Sequence, residues 1–384
     1  MTRGRTPAMQ IGAHFDSGNI EVLDATDPGA VRLAIRTDSN AEFYQWFHFR
    51  ASGVRDVDCQ LHIVNARDAS YPIGWEDYRA VASYDRETWF RVPTDYTDGI
   101  LTIRHRPEFD AVYYAYFAPY SLERHRDFIA RCQVSPLVRH EVLGHSVDGE
   151  DMDLLVVGEA GADKRLCWVL ARQHPGETQG QFWMEGFLGR LLDTSDAVAK
   201  RILKGAAVHA VPNMNPDGGR RGNLRANAAG VNLNRAWTEP SMETCPEAYL
   251  VRQRMLATGV DFCLDVHATE ERPYVHVISS DRVPSLPDRV LEVRETFDNA
   301  LADAHPDWST EYGFPRNASR DTINMDLCSA WVADTFGCLA LTVEMPFKDN
   351  AKAPDATFGW SPERARRLGA ASVQALGVVF DDLR

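Results

Sequence analysis

No run of about 18 uncharged apolar residues occurs in the 384-residue chain, so no transmembrane helix is expected. The leading stretch MTRGRTPAMQIGAHFDSGN carries positive charge but has no apolar core segment, so it does not read as a secretory signal. There is no C-x-x-C, and the seven cysteines show no close spacing. An odd count without an export signal points to free thiols in a reducing cytoplasm. Internal repeats and low-complexity linkers are missing as well. So is any excess of cations: the formal net charge is −14, which argues against nucleic-acid partners. That balance still leaves room for a local basic pocket, because Arg220, Arg221, Arg225 and Arg235 lie close together in the chain.

The hydrophobic fraction of 44 % is that of a globular protein. The length exceeds one ordinary core and suggests two domains, 1–120 and 121–384. In the first, short β-type runs fall at 30–35, 44–50, 59–64, 80–85, 88–92, 100–105 and 111–118, with Asp, Gly and Pro between them. This spacing predicts an antiparallel β-sandwich. In YQWFHFR, alternation puts Tyr44, Trp46 and His48 on one face and Gln45, Phe47 and Phe49 on the other. Both faces are largely apolar, which suits a central strand or a domain interface.

From Ser121, a plausible N-cap, the period changes to a helical stripe of Leu122, Phe128, Ile129 and Cys132. Strands are then expected at 152–160, 165–173, 206–213, 260–267, 273–280 and 338–345. Helices are expected at 178–192, 196–203, 245–258, 286–304, 324–336 and 361–378. This alternation predicts an α/β domain with a mixed or mostly parallel sheet flanked by helices.

Ligands of open α/β sheets sit at the carboxyl ends of the strands. Here those ends carry His174 and Glu177, the NMNPDG stretch, His267 and Glu344. Pro175 biases His174 towards an extended conformation, and Gly176 is expected to let the chain turn. Two histidines and one carboxylate form the ligand set of a catalytic zinc with an open fourth position. A further carboxylate is then needed as general base, and Glu344 is the candidate. Taken singly, each residue also reads as a polar turn, a hydrogen-bonded strand end or a solvated acid. Their ordered arrival at one sheet edge favours one Zn2+ ion. Asp265, on the same strand face as His267, is either a partner for a metal-bound imidazole or a structural ion pair.

The segments HPGET, NPDG, GNLRANAAGVNLNRAW, LDVHATEE and LTVEMPF, in that order, resemble the zinc carboxypeptidases of the M14 family. Pro175 and Gly176 stand where digestive members carry an arginine, which is similar to the cytosolic carboxypeptidase branch, whose members carry an N-terminal β-sandwich. The resemblance implies His174, Glu177 and His267 as zinc ligands and Glu344 as the residue that activates water. It implies Asn234 and Arg235 for the substrate's terminal carboxylate, and Arg225 for the scissile carbonyl. No tyrosine occurs in the segment RNASRDTINMDLCSAWVADTFG before Glu344, unlike the digestive members, and Tyr312 is not given that role. The implied substrate is a peptide or protein C-terminus, with no nucleic acid and no membrane as partner, in the cytoplasm. Relatives in this branch remove acidic C-terminal residues, and Arg316 and Arg320 are candidates for an acid-binding pocket. Two alternatives stand beside this reading: an aspartoacylase-like deacylase of N-acyl amino acids, and a non-catalytic binding module.

Overall fold

The computed structural model describes residues 9–161, 163–279, 283–310 and 323–383. Ten strands come first: β1 (Gln10–Gly12), β2 (Glu21–Asp24), β3 (Val31–Ala34), β4 (His48–Ser52), β5 (Cys59–Ile63), β6 (Val81–Ser83), β7 (Phe90–Arg91), β8 (Thr94–Thr97), β9 (Ile100–His105) and β10 (Ala111–Ala115). They pair as two five-stranded sheets, β1-β4-β10-β6-β7 and β2-β3-β5-β9-β8. A hydrogen bond between His105 Nδ1 of β9 and Tyr114 Oη of β10, 2.9 Å, joins the two sheets. The sandwich is therefore present, but it is not wholly antiparallel, because β3 and β5 run parallel. The expected strand at 44–50 begins only at His48. Before it, Tyr44 exchanges hydrogen bonds with Ser70, and Tyr116 N–H donates to Phe47 O, so loops take the place of a ladder.

The second part opens with helix α1 (Leu122–Gln133), capped as expected by Ser121 Oγ, which accepts from Arg124 N–H. A seven-stranded sheet follows, made of β11 (Val138–His145), β12 (Asp151–Val157), β13 (Arg165–Ala171), β14 (Ala206–Val211), β15 (Phe262–Thr269), β16 (His276–Ser279) and β17 (Leu339–Pro346). Its order is β11-β12-β14-β13-β15-β17-β16. The central strands β14, β13, β15 and β17 are parallel, and the flanking pairings are antiparallel, which makes the sheet mixed. The central strands are buried almost throughout, as near-continuous apolar runs covered on both faces should be. Edge strand β11 mixes half-buried and exposed residues without strict alternation, so its sequence carries no strand signal.

The helices include α2 (Gln179–Leu191), α3 (Ala197–Gly205), α4 (Pro216–Arg221), α5 (Pro246–Thr258), α6 (Asp288–Ala304), α7 (Cys328–Phe336) and α8 (Pro362–Val379). Helix α7 starts later than the periodicity predicts, because Asn324 Oδ1 takes the Asp326 N–H in a turn of its own. Helices α2 and α8 touch at glycines. A Cβ on Gly186 would lie 1.9 Å from Arg366 O, and one on Gly369 would lie 2.0 Å from Trp183 O. All seven cysteines are buried and free.

Arg91 ties the sandwich to the larger sheet. Its buried guanidinium donates to Arg79 O (2.5 Å), Phe347 O (2.7 Å), Trp360 O (3.2 Å), Lys348 O (3.3 Å) and Phe358 O (3.3 Å). Arg91→Met keeps the apolar stem but leaves these buried carbonyls short of donors, so urea unfolding is expected to show a loss of about 2–4 kcal/mol. An unchanged urea midpoint would remove Arg91 as the strut.

Candidate active site

The carboxyl ends of β13, β15 and β17 meet in one buried place. After β13 the chain turns at Arg172, which has a left-handed backbone, φ 63°. The turn expected at Pro175 and Gly176 follows, closed by Glu177 N–H donating to His174 O (3.1 Å), and it needs no positive φ at Gly176. Gly176 serves close approach: a Cβ there would lie 2.9 Å from Leu224 O, the same oxygen that accepts its N–H at 2.9 Å. A left-handed non-glycine residue costs roughly 1–2 kcal/mol. Arg172 offsets that cost with its own side chain. Nε donates to Pro175 O (2.9 Å) and Nη1 to Tyr120 O (2.8 Å), and Gln181 Oε1 also accepts from Nη1. Glu177 thus arrives just before α2, with Thr178 Oγ1 donating to Ala118 O (2.8 Å).

His174, Glu177 and His267 are 4 %, 2 % and 1 % exposed, and one ligand atom from each lies within 4.8 Å of the others. Glu177 Oε1 is 2.7 Å from His174 Nδ1, and Glu177 Oε2 is 2.8 Å from His267 Nδ1. The two Nδ1 atoms are 3.1 Å apart. The outer ring nitrogens settle which way the lone pairs point. His174 Nε2 faces the acceptor Asn232 Oδ1 at 3.0 Å, and His267 Nε2 faces the carboxylate Asp265 Oδ2 at 2.9 Å. Each Nε2 therefore carries a proton, which leaves each Nδ1 free to act as a ligand. Two imidazole lone pairs and a carboxylate converging in a dry place are a donor set that suits zinc.

The electrostatics agree. Burial pushes His174 down to about 4, with Arg225 adding to the effect, so it stays neutral. Burial opposes charge on His267, but the carboxylates of Asp265 and Glu177 outweigh it and hold that ring well above its ordinary value. Burial likewise opposes the Glu177 carboxylate, which the two histidines nevertheless keep ionised. The centre favours one added positive charge, and a divalent cation supplies it.

Glu344 pairs directly with His267 across the parallel strands β15 and β17. It is half-buried, and among the described residues its Oε2 has no hydrogen-bond partner. Burial and then the neighbouring Glu177 push its carboxyl up to about 8. Arg225 stacks its guanidinium over the Tyr71 ring at 5.3 Å. Arg235 is exposed, and among the described residues its guanidinium has one hydrogen bond, Nη1 to Asn234 O (2.7 Å). Asn234 is turned inward: Oδ1 accepts Cys328 N–H (2.9 Å), and Nδ2 lies 3.2 Å from His267 Nε2. Arg316, Arg320 and Tyr312 lie outside the described residues.

Sequence reasoning missed several groups. Gln173 donates to Asp265 Oδ2 (2.7 Å) and accepts Trp237 Nε1–H (2.8 Å), which locks the carboxylate behind His267. Asn232 orients His174, and Tyr71 comes from the sandwich. Glu270, three residues past His267, is buried, and burial followed by Glu177 pushes it up to about 8. The position of Asn232 within VNLNR was a usable signal, whereas Tyr71 carries none. The NPDG stretch proved architectural: Asn215 Oδ1 caps α4 by accepting Gly218 N–H, and Asp217 accepts Ser146 Oγ–H (2.6 Å).

Because Asp265 sets the tautomer of His267, Asp265→Asn is expected to weaken zinc binding about 10- to 100-fold in chelator competition. Unaltered affinity would assign Asp265 to packing alone.

Two family models match the chain: the cytosolic carboxypeptidase N-terminal domain over residues 11–117, and zinc carboxypeptidase over residues 130–364. An uncharacterised protein of Zymomonas mobilis is 44 % identical over 98 % of this chain and 97 % of its own length. Mouse cytosolic carboxypeptidase 6 is 28 % identical over 67 % of this chain, which spans about half of that protein, 52 %. The solved structure of a metallo-carboxypeptidase from Pseudomonas aeruginosa, in complex with (2-guanidinoethylmercapto)succinic acid, superposes with a TM-score of 0.95. It is 42 % identical over 98 % of this chain and 100 % of that one. With the fold, the metal-ligand geometry and these matches in agreement, the chain belongs to the M14 zinc carboxypeptidases, in the branch that carries the cytosolic carboxypeptidase N-terminal domain.

Proposed function

We propose that the protein is a one-zinc metallocarboxypeptidase that removes the C-terminal residue of peptides or proteins. The observation that carries this reading is the convergence of His174 Nδ1, His267 Nδ1 and Glu177, with Glu344 one strand away in register. Bound at that centre, zinc supplies a Lewis acid that polarises the scissile carbonyl and acidifies water. The chain's own residues do the rest. Arg235, with its mostly unengaged guanidinium, holds the terminal carboxylate through parallel hydrogen bonds, and Asn234 anchors the turn beneath it. Arg225 donates to the oxygen that gains charge as the carbonyl is attacked. Glu344, as the ionised carboxylate, takes a proton from the attacking water and returns it to the leaving amine.

A cytoplasmic setting belongs to the same proposal. It is supported by the seven unpaired thiols, by the name of the mouse relative, and by the lack of any helix among the described residues long and apolar enough to cross a membrane.

For the side chain removed, we propose an acidic preference, supported by the likeness to the cytosolic branch, with Arg316 and Arg320 as the candidate pocket cations. One observation favours a basic residue instead: the ligand held by the Pseudomonas aeruginosa enzyme carries a guanidine group. Steady-state cleavage of peptides ending in Glu, Arg, Lys, Phe and Ala separates the two. A higher kcat/KM for Glu is expected, and a preference for Arg or Lys would reverse the assignment. Cleavage of N-acyl amino acids with no cleavage of peptides would instead give the deacylase reading.

Glu344→Gln is expected to keep its zinc and lose activity by about 10²- to 10⁴-fold in kcat. Full activity in that variant, read against zinc content by atomic absorption, would sink the role given to Glu344.

A further inference from the structure

The sandwich reaches into the active site at two points, and both lead to Arg225. The first is the loop after β3. Asp38 is 3 % exposed, and its carboxylate accepts from three consecutive amides of one segment of the catalytic part. Its Oδ1 accepts Leu224 N–H (2.6 Å), and its Oδ2 accepts Arg225 N–H (2.7 Å) and Ala226 N–H (2.8 Å). The next two residues extend the grip. Ser39 N–H and Oγ donate to Asn223 Oδ1 (3.1 and 3.3 Å), and Asn40 Nδ2 donates to Ala228 O (2.9 Å). A Cβ on Gly230 would lie 2.3 Å from Asn40 O, so the two loops are pressed together. On its far side the same segment meets the metal-ligand turn, where Leu224 O accepts Gly176 N–H (2.9 Å).

The second point is Tyr71, whose backbone is pinned by Gln45. Tyr71 N–H donates to Gln45 Oε1 (2.8 Å), and Gln45 Nε2 donates to Tyr71 O (3.1 Å). The ring so held lies under the Arg225 guanidinium. Among the described residues no carboxylate pairs with that guanidinium, so the aromatic face is what orients it, while its donors stay available.

We infer that Asp38 and Tyr71 are positioning residues for Arg225: the sandwich fixes the backbone of Arg225 through Asp38 and its side chain through Tyr71. The inference rests on the reading of Arg225 as the group that meets the scissile carbonyl. It assigns the N-terminal domain a part in the chemistry that the domain does not perform itself. A misplacement of about 1 Å in such a group costs on the order of 100-fold in rate.

The test uses the full-length, zinc-loaded protein. Three charge-assisted backbone hydrogen bonds vanish in Asp38→Ala, so amide hydrogen exchange at Leu224, Arg225 and Ala226 is expected to rise about 10- to 100-fold. Zinc content should be unchanged, because no metal ligand touches Asp38. In kinetics, Asp38→Ala and Tyr71→Leu are each expected to lower kcat about tenfold or more with KM nearly constant, whereas Tyr71→Phe keeps the ring and most of the rate. In an Arg225→Ala background, neither substitution should lower kcat further. An equal loss in both backgrounds, or unchanged exchange at the three amides, overturns the inference. Should Asp38→Ala not fold, Asp38→Asn and Tyr71→Leu make the same comparison. If Arg225→Ala alone leaves hydrolysis intact, the role of Arg225 fails, and the exchange result still reports whether Asp38 holds the loop.

Discussion

Three electron-pair donors aimed at one buried point set the terms for the rest of this molecule. His174 Nδ1, His267 Nδ1 and the Glu177 carboxylate cannot share so small a dry space unless a positive charge sits among them. Much of the surrounding structure keeps those atoms from turning away. Asn232 and Asp265 hold the outer edges of the two rings, Gln173 holds Asp265 and is itself held by Trp237, and Arg172 holds the turn that delivers His174 and Glu177. Each of these polar groups is buried or partly buried with at least one named partner, although Asp265 Oδ1 has none among the described residues.

The parallel core of the sheet explains why such a centre arises at this edge. Strands β13, β15 and β17 run the same way, so their last residues fall side by side, and the pairing of His267 with Glu344 is a direct result of register. A slip of one residue would send Glu344 to the opposite face and leave the centre without its acid. The register is held by apolar runs buried on both faces, and therefore by packing far from the chemistry.

The sandwich belongs to the same mechanical unit. Arg91 reaches across to carbonyls of residues 347–360, and Asp38 reaches across to amides of residues 224–226. One strut uses a buried cation on carbonyls, and the other uses a buried anion on amides. Burial raises the Asp38 carboxyl to about 6, against the pull of the three amides that it accepts from. A domain attached in this way acts as part of the frame of the site.

The sequence by itself determined that His174, His267 and Glu344 arrive at the carboxyl ends of neighbouring strands, because residue type and order along alternating strands and helices are written in the chain. It also determined the two-part architecture, through the change of period near Ser121. Only the tertiary structure decided what holds these residues in place. The left-handed turn at Arg172, the Gln173–Asp265 lock and the approach of Asp38 and Tyr71 to Arg225 join residues far apart in sequence, or rely on a backbone state that composition does not reveal. Gly176 shows the difference well: its place in a turn was legible, but its close contact with Leu224 existed only once the two loops had met. The reason is physical. Periodicity records which face of an element is buried, whereas a hydrogen bond between distant loops leaves no period behind.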